Sequence, residues 1–188
     1  CSWEENPNRP GCVDHGYWPN LDYFSQTLNV DKATTQGIEL TTAFDITDAL
    51  SLTANYTFLD TEQKSGPDKG KPLSDSPKHA INAKLSWLVD DRLDTWLRAS
   101  YRSSRHRSDE LIRSQLGDYK AYATVDIGAA YKLSKNLTVS ASINNLFNKD
   151  FQEYGRYTDA RGRATSGPLY PTNTKTGRNV WLSMNAQF

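Results

Sequence analysis

Leu93-Asp-Thr-Trp-Leu-Arg-Ala-Ser-Tyr-Arg102 alternates without a break, Leu93, Thr95, Leu97, Ala99 and Tyr101 against Asp94, Trp96, Arg98, Ser100 and Arg102. A period of two puts the first set on one face of a strand and the second on the other. Just upstream, Ile81, Ala83, Leu85, Trp87 and Val89 alternate with Asn82, Lys84, Ser86 and Leu88, and Asp90–Arg92 makes the turn between them. Further out, the pattern recurs in Ile38–Phe44, Leu50–Phe58, Val125–Tyr131, Leu137–Ile143 and Val180–Phe188. The expectation is an all-β chain of seven strands, each with one apolar and one polar face.

The connections sort into two kinds. Short turns fall at Ile46–Ala49, Asp90–Arg92 and Ser134–Asn136, and long loops at Glu62–Pro77, His106–Lys120 and Asn148–Gly177. Tight turns at one end and long loops at the other are the habit of an outer-membrane barrel, whereas a soluble sandwich has no reason to sort them. The aromatic residues agree with this. Phe44, Trp87, Tyr131 and Phe188 lie on apolar faces toward the turn end, and Tyr56, Phe58 and Tyr101 toward the loop end. Two aromatic bands around an aliphatic middle are interfacial girdles. Ionised side chains such as Glu39, Lys84, Arg98 and Asp126 occupy the opposite faces in mid-strand, as expected for a wet lumen. Seven is an odd number, and an open sheet edge in lipid leaves backbone groups unpaired at several kcal/mol each. The strands are therefore expected to be part of a larger barrel.

Composition narrows the function. The 188 residues carry 22 basic and 22 acidic side chains, so the basic excess of a nucleic-acid-binding domain is missing. No apolar run is long enough for a membrane-spanning helix. Cys1-Ser-Trp-Glu-Glu5 has neither a basic nor an apolar stretch, so no signal peptide is expected there. Residues 1–32 read as the end of a further external loop, and 33–188 as barrel. Cys1 and Cys12 enclose an Asn-, Pro- and Gly-rich segment; a local disulfide fits an oxidising compartment, with two free thiols as the alternative. Gly66-Pro-Asp-Lys-Gly-Lys71 is one residue short of a phosphate loop, and Pro72 stands where Ser or Thr is required. Three scattered histidines support no metal site, and neither a Ser-His-Asp set nor a carboxylate pair is readable. No catalytic residues and no enzyme are expected.

Several stretches carry a family resemblance: Asn29-Val-Asp-Lys-Ala-Thr-Thr-Gln-Gly-Ile-Glu-Leu40, Leu50–Phe58, Ser76-Pro-Lys-His79, Ile143-Asn-Asn-Leu-Phe-Asn-Lys-Asp150 and the terminal Phe188. Together they resemble the C-terminal third of a TonB-dependent outer-membrane receptor of the siderophore branch. The likeness is nearer to the ferric catecholate (enterobactin) type than to cobalamin or haem receptors. It implies the C-terminal seven antiparallel strands of a 22-stranded transmembrane β-barrel in the bacterial outer membrane, with the plug domain and earlier strands outside this sequence. It also implies a ferric siderophore as ligand and no cofactor, since iron arrives within the siderophore. The implied partners are the TonB–ExbB–ExbD complex acting through the plug, lipopolysaccharide and outer-membrane lipid, and the barrel-assembly machinery, for which Phe188 resembles the recognition signal.

A ferric tris-catecholate is a bulky trianion with aromatic faces and calls for arginine donors and flat aromatic contacts. Two clusters at the loop end offer them: Arg102, Arg105, His106, Arg107 and Arg113, and Tyr154, Arg156, Tyr157, Arg161 and Arg163. Tyr17, Trp18 and Tyr23 add aromatics in the first loop. The competing reading of each is a solvated loop residue or a contact to lipopolysaccharide phosphate. Two other functions stand beside this one: the same fold with a hydroxamate, haem or other chelate, and a soluble all-β adhesion or binding domain in which Leu97 and Val139 are buried.

Overall fold

The computed structural model describes residues 32–66, 68–74, 76–171 and 177–187. Its elements in chain order are β1 (Ala33–Thr47), β2 (Leu50–Gln63), β3 (His79–Leu88), β4 (Leu93–Arg102), α1 (Glu110–Leu116), β5 (Tyr122–Ser134), β6 (Leu137–Asn144), β7 (Tyr154–Thr158), β8 (Ala164–Pro168) and β9 (Asn179–Ala186). Seven strands form one antiparallel sheet in the order β1-β2-β3-β4-β5-β6-β9, and β7 pairs with β8 in a separate hairpin. The seven strands expected from the alternation are therefore all present, each beside its neighbour in sequence.

Residues directly opposite one another share a face, so the register exposes the sheet's chemistry row by row. Phe44, Leu52, Leu85, Leu97, Ile127, Ile143 and Val180 follow one another across all seven strands. On the other face Lys84 lies opposite Arg98, and Arg98 opposite Asp126. Among the described residues nothing covers the apolar face: Leu97 is 42% exposed and Phe44 61%. A sandwich would bury Leu97 under a second sheet, and among the described residues none lies over it.

Each tight turn is built by one side-chain oxygen. Ala49 N donates to Thr47 Oγ1 at 3.2 Å, Arg92 N to Asp90 Oδ1 at 2.7 Å, and Asn136 N to Ser134 Oγ at 3.2 Å. These closures over two residues are why such short connections suffice. Register shifts at Asp45/Thr47 and Lys132/Ser134 add a bulge beside two of the turns.

Two of the long loops contain structure that alternation did not predict. In the first, α1 begins at Asp109, whose carboxylate accepts from Ile112 N at 3.0 Å. It ends at Gly117, whose φ of +74° suits glycine. In the second, β7 and β8 form the extra hairpin. The buried apolar core of the described residues lies where these loops meet the start of β5: Tyr122 of the strand with Phe151, Leu169 and Tyr170 of the loop, and Leu116 of α1 packed against them.

Candidate ligand-binding site at the loop end

The base of the site is the segment after β6, and each asparagine of Asn144-Asn-Leu-Phe-Asn148 has a task there. Asn144 Nδ2 donates to Asn179 Oδ1 at 2.8 Å, joining β6 to β9. Asn145 takes φ of +53°, a left-handed conformation that asparagine tolerates. Its side chain then brackets the next turn, with Nδ2 donating to Lys149 O at 2.9 Å and Oδ1 accepting from Lys149 N at 2.8 Å. Asn148 Oδ1 accepts from Arg178 N at 2.9 Å, closing the two ends of the loop. Asp126, 8% exposed on the polar face of β5, anchors the whole. Its Oδ1 accepts from Asn145 N at 2.8 Å, and its Oδ2 receives Arg98 Nε and Nη2 at 2.9 and 2.8 Å.

That turn sends the loop inward over the polar face. Tyr122, on the same face of β5 as Asp126, meets Phe151 edge-on at 5.0 Å between centroids, and Phe151 meets Tyr170 at 5.8 Å. Such aromatic contacts contribute about 0.5–1.5 kcal/mol each beyond the area they bury. Helix α1 packs on the hairpin where Gly155 leaves room: a Cβ there would stand 2.7 Å from Leu116 Cδ2. Gln115 exchanges two hydrogen bonds with Thr158, at 2.9 and 2.8 Å.

The first arginine cluster divides. Arg107 is 3% exposed and works inside the loop assembly. Its Nη2 donates to Pro168 O at 2.7 Å and its Nε to Gly117 O at 3.1 Å, with the guanidinium 4.0 Å above the Tyr119 ring. His106 is also buried, with Nδ1 3.7 Å from Asp118. Arg113 Nε donates to Asp118 at 2.7 Å. Arg107 and His106 are thus turned into the loop assembly, while Arg113 is half-buried against Asp118. Arg105 reaches Tyr122 OH at 3.1 Å, while its Nε is buried with no hydrogen-bond partner among the described residues. Arg102 donates to Tyr101 O at 2.8 Å and to Asn82 Oδ1 at 3.1 Å.

The second cluster divides by strand parity. Tyr154 and Arg156 of β7 are exposed on one face, whereas Tyr157 turns to the other, beside Gly167. Arg161 and Arg163 sit in the hairpin turn, where Asp159 accepts from both backbone N–H groups, at 2.9 and 2.8 Å, and from Arg163 Nε at 3.0 Å. Lys149 completes the set: its Nζ lies 4.3 Å from the Tyr170 ring centroid. It stands inside Ile143–Asp150, a stretch that reads as a family signature rather than as a cation site. Tyr17, Trp18, Tyr23, Cys1, Cys12 and Phe188 lie outside the described residues. No group of three metal-ligating side chains occurs among the described residues.

Asp118 is held below the usual carboxylate range. Burial pushes its pKa up, but the Arg113 guanidinium and the Arg107 backbone N–H favour the anion and outweigh that. A carboxyl with a depressed folded pKa stabilises fully above its unfolded value, near 3.8, and loses that contribution as pH falls through the folded one. Hydrogen-exchange protection factors in residues 103–121, taken relative to the intrinsic rate at each pH, are therefore expected to stay flat from neutral pH to about pH 4 and to fall below it. In Asp118→Asn that acid step is expected to be absent.

Residues 5–146 match the family described as TonB dependent receptor-like, beta-barrel. The chain belongs to the TonB-dependent receptors. The iron-regulated outer membrane virulence protein of Vibrio cholerae is 36% identical over 163 residues, covering 86% of this chain and 22% of that protein. The ferric enterobactin receptor of Pseudomonas aeruginosa is 28% identical over 186 residues, covering 94% of this chain and 24% of its own. A crystal structure of that receptor superposes with a TM-score of 0.67 at 26% identity, covering 85% of this chain and 23% of the other. The chain thus spans about a fifth to a quarter of the length of these relatives. As strands of a TonB-dependent receptor they belong in the outer membrane, and this labels the two faces. The aliphatic rows meet lipid, the Lys84–Arg98–Asp126 row lines the lumen, and the loop assembly stands over the lumen's external mouth.

Proposed function

We propose that this chain supplies part of the external binding surface and lumen wall of a receptor that takes up a ferric siderophore, a catecholate chelate foremost. The supporting observation is the loop assembly seated over the lumen, which combines exposed cations (Arg156, Arg161, Arg163) with aromatic faces and keeps Arg105 and Lys149 against Tyr122 and Tyr170. A trianionic aromatic chelate matches such donors. Import draws on TonB–ExbB–ExbD through a plug, which Glu39, Lys84 and Asp94 would meet from the lumen wall. The siderophore is carried unaltered with its iron, so the receptor needs neither catalysis nor a cofactor. Phe188 serves barrel assembly, lipopolysaccharide surrounds the external end, and Cys1 and Cys12 close the first loop as a disulfide.

The test uses the full-length receptor and a ferric tris-catecholate followed by quenching of intrinsic fluorescence. Replacing Arg105 and Arg156 together by Ala is expected to weaken binding at least tenfold. Ferric hydroxamate, haem and corrinoid are expected not to compete. Unchanged affinity in the double variant would remove this surface from the binding site, and competition by another chelate would reassign the ligand.

A further inference from the structure

We infer that Arg107 and Gln115 are positioning residues of the external site: without touching the ligand, they hold the β7–β8 hairpin at two points so that Tyr154 and Arg156 are presented to it. The inference rests on the proposed function and deepens it, making the two cation clusters one site carried on two loops.

A two-stranded hairpin has marginal stability of its own, and β7–β8 pairs with no strand of the main sheet. Its orientation has to be supplied from outside. Gln115 of α1 holds the tip end. Its Nε2 donates to Thr158 O at 2.9 Å and its Oε1 accepts from Thr158 N at 2.8 Å, the pair of bonds that a neighbouring antiparallel strand would make. Arg107 holds the root end. Its Nη2 donates to Pro168 O at 2.7 Å, and Pro168 lies directly opposite Tyr154 in the hairpin register. The two points are about 13 Å apart along the hairpin. A single hold would leave a pivot, whereas two fix rotation as well as distance. Tyr154 and Arg156, both exposed, occupy the stretch of β7 between them.

Arg107 is itself fixed on several sides. Its Nε donates to Gly117 O at 3.1 Å, its guanidinium lies 4.0 Å from the Tyr119 ring centroid, and its backbone N–H reaches Asp118 Oδ1 at 3.3 Å. Buried as it is, it meets a ligand only by leaving those partners. Its contribution to binding is therefore the fraction of receptors whose hairpin is in place, and apparent affinity falls in proportion to that fraction. Arg105 depends on different contacts. It exchanges backbone hydrogen bonds with Tyr119 at 3.1 and 3.0 Å and reaches Tyr122 OH of β5, so the main sheet rather than the hairpin sets its place.

The experiment is stopped-flow quenching of intrinsic fluorescence by a ferric tris-catecholate in the full-length receptor. Gln115→Met keeps helix propensity and charge, and is expected to weaken binding about three- to tenfold, the range that one or two hydrogen bonds supply, through slower association. Arg107→Met is expected to act in the same way and at least as strongly. Tyr154→Ala/Arg156→Ala, which removes the contacts themselves, is expected to speed dissociation instead. Adding Gln115→Met to that pair is expected to change nothing further, whereas adding it to Arg105→Ala multiplies the two losses. Heat-modifiable gel mobility confirms that every variant is folded. Unchanged affinity in Gln115→Met and Arg107→Met, with Tyr154→Ala/Arg156→Ala impaired, would overturn the positioning role and leave the ligand reading standing. A full further loss when Gln115→Met joins Tyr154→Ala/Arg156→Ala would overturn it as well. Unimpaired binding in Tyr154→Ala/Arg156→Ala would take the hairpin out of the ligand site, and the inference would fall with that reading.

Discussion

Arginine at Leu97 is expected to cost the assembled barrel about 2–4 kcal/mol, the penalty of a cation on the lipid face near the bilayer midplane. Leu97 lies in the middle of β4 and in the apolar row that runs from Phe44 to Val180 across all seven strands, between Leu85 and Ile127. Its neighbours on that face offer no carboxylate, and the guanidinium must reach water past further apolar rows in either direction. Arginine at Ser100, three residues along β4, points instead into the lumen beside Asn82 and Thr124 and is expected to cost little. Urea unfolding of the full-length receptor in phospholipid vesicles, read by heat-modifiable mobility, measures both. Equal behaviour of the two variants would reverse the assignment of faces.

Asp126→Ala is expected to unfasten the last long loop. Two interactions are lost, and their sizes differ. The ion pair involves an Arg98 side chain that is 50% exposed, so its loss alone costs at most about 1 kcal/mol. The bond from Asn145 N is buried, and an orphaned buried donor costs about 1–3 kcal/mol. The second effect dominates and is local, since Asn145 holds the turn that sends the loop over the lumen. Faster hydrogen exchange across residues 146–171 is expected, with unchanged protection in β2 and β3. Asp126→Asn keeps an acceptor for Asn145 N and is expected to retain most of the protection. Loss of protection equal to that of the alanine variant would shift the weight to the ion pair.

The strands were legible because a period of two survives any tertiary context, and the register then fixes which rows meet. The sorting of turns and loops was legible because short connections carry their own acceptors, as at Asp90 and Ser134. The content of the loops was not. Helix α1 has seven residues and β7 and β8 five each, too few for a period to stand out. His106 and Arg107 read as donors to a ligand, with solvated loop charges as the alternative, because the sequence shows no partner that would bury either. The acceptor that buries Arg107, the carbonyl of Pro168, lies 61 residues away. Composition places Tyr157 with Tyr154 and Arg156, whereas alternation along Tyr154-Gly-Arg-Tyr-Thr158 turns it to the other face.

Arg107 joins its own loop to the hairpin through Pro168, Leu116 fills the space over Gly155, and Lys71 reaches Glu110 of α1 at 3.1 Å from the preceding loop. The three loops are consequently one packed module rather than three interchangeable parts. A chimera that imports the hairpin from another receptor must import residues 103–121 with it, and vary the outward positions such as Tyr154 and Arg156 while leaving the shared seam alone. The same holds for an immunogen: the hairpin displayed as a free peptide lacks the helix that gives it an inner face, so antibodies to it would meet an epitope the cell does not present.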